Sequence, residues 1–435
     1  MDLPSRADFV VVGAGVHGLS TAWHLAEEQA RSGRTPSVVV VDKTGIAAGA
    51  SGIACGVVRN NYFQPAMTEL MCANIEVWEQ DPQQFHYQSV GYMALGAKSQ
   101  VEDLVAVHAR QQQVGYPSDI IVGESEVSSY MRRLFPDWRA EGVQVCLHEH
   151  RGGFAHNVES IRGLAVKARE AGAKIVVGPE VEGFSFRPDQ SVSAVVTDRG
   201  VIEADQVVVA VGPWIKNLWH LLQLPTSIDI RAANGEMRRG VPMWTYWYLQ
   251  EGAIGTSPTL LTTADGHMAP VLHVDSDAPL IDDAGSVLSA EGLWGIYFKQ
   301  DLDGVQGGGT PIPKGVDFEV DPYPSSTVED GFADMWCAAL SHCMSRFQGL
   351  RANYRNGRSG GVGAFSADSF PVFDYMHPNV YVIADSNHGY KMIGVGREVA
   401  QVMTGGESRL LLPFRYARFA EGALHPESHS PYPWS

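Results

Sequence analysis

Three glycines near the start of the chain have the spacing of a phosphate-binding turn. Gly13, Gly15 and Gly18 fit the pattern G-x-G-x-x-G, and His17 fills one of its variable positions. Such a turn binds the pyrophosphate of a dinucleotide because its glycines permit a tight bend and a close approach of the backbone, and the next helix directs free N–H groups at the phosphates. The spacing therefore predicts dinucleotide binding. At a variable position, His17 is expected to face solvent.

The elements that must hold this turn are also predicted. An apolar run, Phe9–Val12, indicates a buried strand before the glycines, and apolar residues recur at helical spacing after them, from Leu19 to Ala26. A second strand, Ser37–Val41, ends at Asp42, close to the spacing of about 20 residues at which an acid binds a ribose in such folds. A strand–turn–helix unit that binds no nucleotide is the alternative.

A segment rich in small residues, Thr44–Tyr62, follows the second strand and carries Arg59 near its end. Small side chains let a backbone lie directly against a flat, bulky group. By itself the segment fits a tightly packed helix or a loop equally well. Beside a dinucleotide motif, its composition favours contact with a cofactor.

The composition excludes several classes of protein. The chain has 435 residues, of which 45% are hydrophobic, so two or three domains with a large core are expected. A net charge of −17 argues against nucleic acid or an anionic membrane surface as a partner. The five cysteines lack a C-x-x-C pair, which fits reduced thiols in the cytoplasm, and no metal-ligand spacing occurs. No apolar run approaches the roughly 18 residues that a membrane helix needs.

Periodicity predicts alternating helices and strands along the rest of the chain. The predicted helices are Met67–Gln80, Val101–Gln113, Val127–Phe135, Val158–Ala171, Val328–Cys343 and Val395–Thr404. The predicted strands include Tyr87–Leu95, Val143–His148, Ala173–Gly178, a meander over Val181–Phe184, Val192–Thr197 and Gly200–Ala204, then Gln206–Val211, Met243–Leu249, Gly295–Lys299 and Val380–Ala384. Gly307–Gly309 and Asn356–Gly363 are predicted to be loops, and His425–Ser435 a loose end.

Three stretches resemble the FAD-dependent amine oxidoreductases of the D-amino-acid oxidase superfamily, nearest to the sarcosine, dimethylglycine and glycine oxidases. They read GAGVHGLSTAWHLA at the first turn, GASGIACGVVRNNY after the second strand, and DSNHGYKMIGVG near the C terminus. The resemblance is weakest from 90 to 150 and from 225 to 345. It implies an α/β fold in which a Rossmann-like FAD-binding domain is joined to an α+β substrate domain with a mixed or antiparallel sheet.

The resemblance also implies which parts of the chain form each domain. Residues 1–85, 151–224 and 350–435 would form a discontinuous FAD-binding domain, and residues 86–150 and 225–349 would form the substrate-binding domain over the flavin. FAD is expected to be bound non-covalently, because Ala352 stands where a linking cysteine occurs and no histidine stands near Ile53. The cofactor-binding residues implied are Gly13, Gly15, Val16, His17, Gly18, Asp42, Lys43, Ala50, Ser51, Gly52, Gly56, Val57, Arg59, Val181, Gly212, Trp214, Gly389, Tyr390 and Lys391.

Two lysines and a histidine match catalytic positions of the family. Lys391, just after His388, would lie by the flavin pyrimidine and stabilise the negative charge of the reduced ring. Lys299 would provide the positive charge that activates oxygen. The alternatives are a solvated surface charge for Lys391 and an edge-strand lysine for Lys299.

Four tyrosines are implied to bind substrate: Tyr62, Tyr246, Tyr297 and Tyr354. Tyr62 stands where sarcosine oxidase has a carboxylate-binding arginine, which questions carboxylate recognition and sarcosine itself. In the aromatic strand Met243–Leu249, alternation puts Trp244, Tyr246 and Tyr248 on one face. That face fits either a wall above a flavin or an ordinary packed sheet.

The expected reaction is oxidation of a secondary or N-methylated amine, or of an amino acid, to an imine that water hydrolyses. Oxygen would reoxidise the flavin and yield hydrogen peroxide. An amine dehydrogenase, or the flavin subunit of a heteromeric oxidase, is the alternative enzyme, and an FAD-binding structural subunit is the non-enzyme alternative. The expected partners are a small-molecule amine and oxygen, with a homo-oligomer left open.

Overall fold

The computed structural model describes residues 3–257, 259–321, 323, 328–355, 361–385 and 388–430. The predicted loop Asn356–Gly363 lies outside these residues apart from its last three positions, and so do Ser386 and Asn387 of the C-terminal glycine-rich turn. The last five residues of the predicted loose end are also outside.

A parallel sheet forms the centre of the first half of the fold. Arg6–Val12 pairs in parallel with Val38–Asp42 on one side and with Gly200–Val209 on the other. Lys174–Val177 extends the sheet beyond Val38–Asp42, and Val380–Ala384 pairs in parallel with the second half of Gly200–Val209. These strands are runs of valine because both faces of a parallel sheet are buried under other elements. The predicted strands of this sheet are thereby confirmed.

Antiparallel strands complete the edge of the parallel sheet. Val192–Thr197 pairs with the first half of Gly200–Val209 and with Val181–Phe186, as the predicted meander requires. Val372–His377 pairs with Val380–Ala384. The two strands predicted at Gly200–Ala204 and Gln206–Val211 are one continuous strand.

Long helices cover the parallel sheet. Val16–Arg31 follows the first strand and packs against both Asn157–Glu170 and Val395–Met403. Pro65–Gln80 adds its apolar side to the same hydrophobic core, through residues such as Met71 and Trp78. These helices were predicted to within a few residues, because each carries a regular apolar stripe.

A second, mixed sheet forms the other half of the fold, as expected. Its eight strands, in spatial order, are Tyr354–Arg355, Glu251–Gly255, Gly304–Gly309, Trp294–Asp301, Val271–Ser276, Tyr92–Gly96, Val145–Glu149 and Ser118–Val122. All neighbours are antiparallel except Val271–Ser276 and Tyr92–Gly96. The helices near this sheet are Val101–Gln113, Glu124–Leu134 and Phe332–Cys343. The prediction of a loop at Gly307–Gly309 is wrong, since these glycines end a strand.

Smaller elements connect the two sheets. One small sheet has three short strands, Tyr87–Gln88, Gly153–Ala155 and Val57–Val58. In another, Thr245–Tyr248 lies between Ile312–Gly315 and Val362–Phe365. Two hairpins pair Ser227–Arg231 with Met237–Pro242 and Leu280–Ile281 with Val287–Ser289. Short α-helices occur at Ala50–Ile53, Ile215–Leu221 and Arg418–Glu421. Single 3-10 turns occur at Lys98–Gln100, Gly212–Trp214, Ser345–Phe347, Leu350–Asn353, Gly389–Lys391 and Leu412–Phe414.

The aromatic strand packs with the parallel sheet. Trp244, Tyr246 and Tyr248 are buried in the same hydrophobic cluster as Val10 and Val12. The packed-sheet interpretation of this strand is therefore correct, and the domain boundary expected at 225 stays a prediction. Within the part of the chain that the structure describes, no helix combines the length and the apolar character needed to cross a bilayer.

Candidate active site

A cavity of about 790 Å³ runs from the glycine turn of the parallel sheet to strands of the mixed sheet. Most of the predicted cofactor residues line it: Gly13, Gly15, Val16, His17, Asp42, Lys43, Ala50, Ser51, Gly56, Val57, Arg59, Val181, Gly212, Trp214, Gly389, Tyr390 and Lys391. Tyr297 also lines it. The predicted site residues that are not among its lining residues are Gly18, Gly52, Tyr62, Tyr246, Lys299, Tyr354 and His388.

The glycine turn has the geometry of a phosphate cradle. Gly13 has a φ of +107°, and a Cβ atom there would lie 2.3 Å from the carbonyl oxygen of Ala210. A Cβ atom on Gly18 would lie 1.9 Å from the carbonyl oxygen of Gly13, so Gly18 serves close packing below the turn. Gly15 caps the helix Val16–Arg31 without a side chain. The helix N-terminus therefore faces the cavity with its partial positive charge.

Asp42 and Ser51 fix the rim of this cradle. Asp42 accepts hydrogen bonds from the backbone N–H groups of Ala14 at 2.8 Å, Thr44 at 2.9 Å and Gly45 at 2.7 Å. Ser51 Oγ accepts from Val16 N at 3.2 Å. A carboxylate has about four acceptor positions, so Asp42 keeps capacity for a ribose hydroxyl.

The far end of the cavity is closed by an aromatic and charged group. Lys43 Nζ lies 2.6 Å from Asp321 and 3.1 Å from Glu180, and 5.4 Å from the centre of the Trp214 ring. Trp214 donates its Nε1–H to Asp321 at 2.8 Å. Val181 lines the same end. This flat wall suits a purine ring.

His17 is buried, and the expectation that it faces solvent is wrong. Its Nε2 lies 3.2 Å from the carboxylate of Asp385, which also accepts the backbone N–H of His388 at 3.0 Å. Burial works to raise the pKa of Asp385, but hydrogen bonds from both histidines lower it overall. His17, at a variable position of the glycine motif, thus connects the glycine turn to the C-terminal turn through Asp385.

Arg59 lies in the cavity wall among aromatic rings. Its guanidinium carbon lies 4.5 Å from the ring centre of Tyr62 and 5.6 Å from that of Tyr92. Burial opposes the charge of Arg59, but Tyr92, Tyr62, Glu149 and Asp275 together raise its pKa. Arg59 is therefore a permanent cation beside the cavity.

Tyr62 lies behind Arg59 and not on the cavity wall. It is fully buried, which raises the pKa of its phenol, and its hydroxyl has no hydrogen-bond partner among the described residues. Glu149, also buried, accepts hydrogen bonds from Asn60 N at 2.8 Å and from Gln111 at 3.0 Å, and burial raises its pKa to about 7. The first of these contacts fixes the backbone at Asn60, next to Arg59.

Lys391 lines the cavity near Arg59. Its Nζ lies 5.8 Å from the ring centre of Tyr62, and burial followed by repulsion from Arg59 lowers its pKa to about 7. His388 is buried beside it, stacked 5.2 Å from Phe370, and burial lowers its pKa. The alternative of a solvated surface charge for Lys391 does not fit this position.

Lys299 lies behind the cavity wall. It is 1% exposed, its Nζ lies 4.5 Å from the ring centre of Phe154 and 3.5 Å from Asp301, and it donates to the carbonyl oxygen of Gln300 at 3.3 Å. It is a buried lysine within a central strand, so it is not an edge-strand lysine. Its role toward oxygen stays a prediction.

Two other predicted tyrosines also lie away from the cavity. Tyr246 is fully buried and donates its hydroxyl proton to the carbonyl oxygen of Pro213 at 2.9 Å. Tyr354 packs beside Gly252 and near Trp336. The geometry gives both residues a packing role, in contrast to the expected contact with substrate.

Four residues that the sequence did not single out contribute polar groups to the site. Tyr92, His273 and Glu251 line the cavity, and Asp275 lies behind His273. Glu251 accepts hydrogen bonds from Tyr297 Oη at 2.8 Å and from Cys55 N at 3.0 Å, and burial raises its pKa to about 7. The sequence feature that could have indicated these residues is a polar residue within an apolar strand, as in VLHVDS around His273.

The residues of the cavity fit FAD. The uncapped helix N-terminus and the Cβ-free turn at Gly13 suit a pyrophosphate, Asp42 suits a ribose, and the wall at Trp214 suits adenine. At the opposite end, Lys391 offers positive charge where a reduced flavin carries negative charge.

The comparisons with known proteins agree with this fit. A family model described as FAD dependent oxidoreductase, DAO, matches residues 8–402. Peroxisomal sarcosine oxidase of Homo sapiens is 26% identical over 231 residues, which are 52% of this chain and 56% of that protein. Sarcosine oxidase subunit beta of Arthrobacter sp is 28% identical over 211 residues, which are 47% of this chain and 50% of that subunit. The chain thus spans about half the length of these relatives.

The solved structures support the same fold. L-proline dehydrogenase from P. horikoshii superposes with a TM-score of 0.73 at 21% identity, covering 97% of this chain and all of that one. The family match spans most of the chain and includes both glycine-rich turns that line the cavity. The chain therefore belongs to the DAO family of FAD-dependent oxidoreductases.

Proposed function

We propose that this protein oxidises a secondary or N-methylated amine, or an amino acid, to an imine that is then hydrolysed. The observation that carries the proposal is the end of the cavity opposite the phosphate cradle. There, the guanidinium of Arg59 lies beside the ring of Tyr92, and Lys391 and Tyr297 line the same cavity. Such a site suits a small polar molecule that brings its own negative charge.

In this proposal, different residues of the chain bind the cofactor, stabilise its charge and bind the substrate. Bound FAD supplies the two-electron oxidation. The glycine turn and Asp42 hold its dinucleotide part, and Lys391 stabilises the charge of the reduced ring. Arg59 pairs with an anionic group of the substrate, because it is a permanent cation with cavity access. Tyr62 stands where sarcosine oxidase has a carboxylate-binding arginine. In this proposal Arg59 binds the carboxylate instead.

The electron acceptor distinguishes two versions of this function. In the first, oxygen would be the acceptor and hydrogen peroxide the product, with Lys299 as the activating cation. In the second, the protein is an amine dehydrogenase that passes electrons to another acceptor. The second version is favoured by the position of Lys299, whose ammonium lies against Phe154 and Asp301 and not on the cavity wall.

Product analysis tests the proposal. The purified protein is incubated with secondary, N-methylated and carboxylated amines, in air or with an artificial acceptor, and carbonyl product and peroxide are measured. Carbonyl product with peroxide supports the oxidase, and carbonyl product that requires the artificial acceptor supports the dehydrogenase. FAD-loaded protein that forms no carbonyl product from any amine would contradict the proposal.

A further inference from the structure

Three residues on two neighbouring strands form a hydrogen-bonded chain that ends at the cavity. Tyr92 Oη lies 2.9 Å from His273 Nδ1, and His273 Nε2 lies 3.1 Å from Asp275 Oδ1. The other oxygen of Asp275 accepts from Gln100 Nε2 at 2.7 Å. Tyr92 and His273 line the cavity, and Asp275 is buried behind them.

The direction of these hydrogen bonds follows from the chemistry of the groups. An ionised carboxylate only accepts, so His273 carries its proton on Nε2 and donates it to Asp275. Nδ1 is then left as an acceptor, and the Tyr92 hydroxyl donates to it. Burial raises the pKa of Tyr92 to about 12, so its phenol keeps this proton at neutral pH.

A proton acceptor is needed for the reaction proposed above. An aliphatic amine is protonated at neutral pH, with a pKa near that of lysine, about 10.4. Its nitrogen lone pair must be free before the neighbouring C–H bond can be oxidised. An imidazole in the cavity wall, with its orientation fixed by a carboxylate, would meet this need.

We propose that His273, reached through Tyr92 and oriented by Asp275, takes the proton that the substrate ammonium loses; this rests on the proposed function. The ammonium N–H gives its proton to the oxygen of Tyr92 as the Tyr92 hydroxyl proton passes to Nδ1 of His273. A neutral amine, an intact phenol and an imidazolium paired with Asp275 result. Both ring nitrogens of His273 are already hydrogen-bonded, so the proton reaches the ring only through Tyr92.

The surroundings fit this assignment. The groups that face the chain are the ring of Tyr297, 6.5 Å from His273, the guanidinium of Arg59 above Tyr92, the carboxyl of Glu149 on the neighbouring strand, and the amides of Gln100 and Asn61. The Tyr92 hydroxyl donates to His273, and its oxygen keeps acceptor capacity for the substrate. Arg59, beside Tyr92, would hold the substrate's anionic group close to this oxygen.

Glu251 and Lys391 are other proton acceptors on the cavity wall, and Lys391, whose pKa burial lowers to about 7, is the one assigned to the reduced ring. Burial raises the pKa of Glu251 to about 7, but Glu251 already accepts hydrogen bonds from Tyr297, Cys55 and Gln306. These donors stabilise its anion and occupy its oxygens. The Tyr92–His273–Asp275 chain, by contrast, ends in an oxygen with a free acceptor position.

Asp275→Asn is the sharpest test, because it changes one atom. The amide keeps its oxygen toward Gln100 and turns its NH₂ group toward His273, which forces the imidazole proton from Nε2 to Nδ1 and removes the acceptor. Asp119→Asn is the matched control, since Asp119 pairs with His150 at 2.8 Å on the exposed face of the same sheet.

The rate of flavin reduction by an amine is measured anaerobically against pH in holoenzyme. In the unaltered protein and in Asp119→Asn, the limiting rate should fall as the pH is lowered. Asp275→Asn, and separately Tyr92→Phe, should lower the limiting rate a hundredfold or more, in line with general-base catalysis worth about 10²–10⁴. Amine affinity should change much less, because Arg59 is untouched.

A second readout does not depend on activity. Nitrogen-15 NMR of histidine-labelled protein should show His273 as the neutral tautomer with Nε2 protonated, and the opposite tautomer in Asp275→Asn. The other tautomer in the unaltered protein would overturn the relay, as would unchanged reduction rates in Asp275→Asn, or loss of the pH limb in Glu251→Gln but not in Asp275→Asn. If no amine reduces the unaltered holoenzyme, the proposed function falls and the relay falls with it.

Discussion

Replacing Lys391 with methionine should lower the midpoint potential of the bound flavin. Lys391 lines the cavity beside Arg59, and its pKa is lowered to about 7, so its ammonium is present at pH 6. A charge-assisted contact is worth about 1.5–3 kcal/mol. For a two-electron couple, about 30 mV corresponds to about 1.4 kcal/mol, which predicts a drop of roughly 30–65 mV at pH 6.

The pH dependence of this drop tests the assigned cause. Above pH 7 the Lys391 amine is neutral before reduction and must take up a proton to stabilise the reduced ring. The difference between Lys391→Met and the unaltered protein should therefore shrink as the pH rises from 6 to 9. Lys98→Met, which removes an exposed lysine, is the control and should leave the potential unchanged. The potential is measured by equilibrium titration against reference dyes. A potential in Lys391→Met within about 10 mV of the unaltered protein at pH 6 would refute the assignment.

Three further predictions concern the cofactor and the acceptor. Acid precipitation should release FAD, and not FMN, into the supernatant, because Ala352 and Ile53 replace the expected attachment residues; flavin retained in the pellet would contradict non-covalent binding. Lys299→Met should slow reoxidation by oxygen about a hundredfold, or roughly 2.7 kcal/mol, if the protein is an oxidase; an equal rate in stopped-flow measurements would remove Lys299 from the mechanism and support the dehydrogenase. Gly13→Ala should abolish FAD retention, because its Cβ atom would lie 2.3 Å from the carbonyl oxygen of Ala210. Gly33→Ala, at a positive φ in open space, should keep FAD, and equal flavin content in both variants would argue against the cradle at Gly13.

Local patterns were sufficient for many elements of the fold. The helix Val101–Gln113 and the strand Val380–Ala384 have the predicted bounds, since each is a continuous periodic or apolar run with clear ends. The glycine turn was predictable because its chemistry requires glycine at fixed positions. The order of strand, helix and second strand around this turn followed from the same dinucleotide-binding pattern.

Glycine has a second use that the sequence could not distinguish. At Gly307 a Cβ atom would lie 1.9 Å from the carbonyl oxygen of Tyr297 on the neighbouring strand. The glycine is therefore needed for close strand packing, although a run of glycines is typical of a loop. Only the paired strand reveals this constraint.

The sequence also could not show whether a side chain lines the cavity or lies behind its wall. Tyr297 and Lys299 lie on the same face of one strand, yet Tyr297 lines the cavity and Lys299 lies against Phe154. Tyr246 was assigned to the correct face of its strand, but that face belongs to the core of the parallel sheet. Tyr92 and His273 meet only because distant segments pair in the mixed sheet.

Anaerobic reduction of the bound flavin by amines tests the central claim most directly. The flavin absorbance of the holoenzyme is followed as each member of an amine panel is added without oxygen, with and without a carboxylate on the amine. We predict bleaching by at least one secondary, N-methylated or amino-acid substrate, with carboxylated amines favoured through Arg59. A flavin that dithionite bleaches but that no amine bleaches would contradict amine oxidation and support a structural role for the bound FAD.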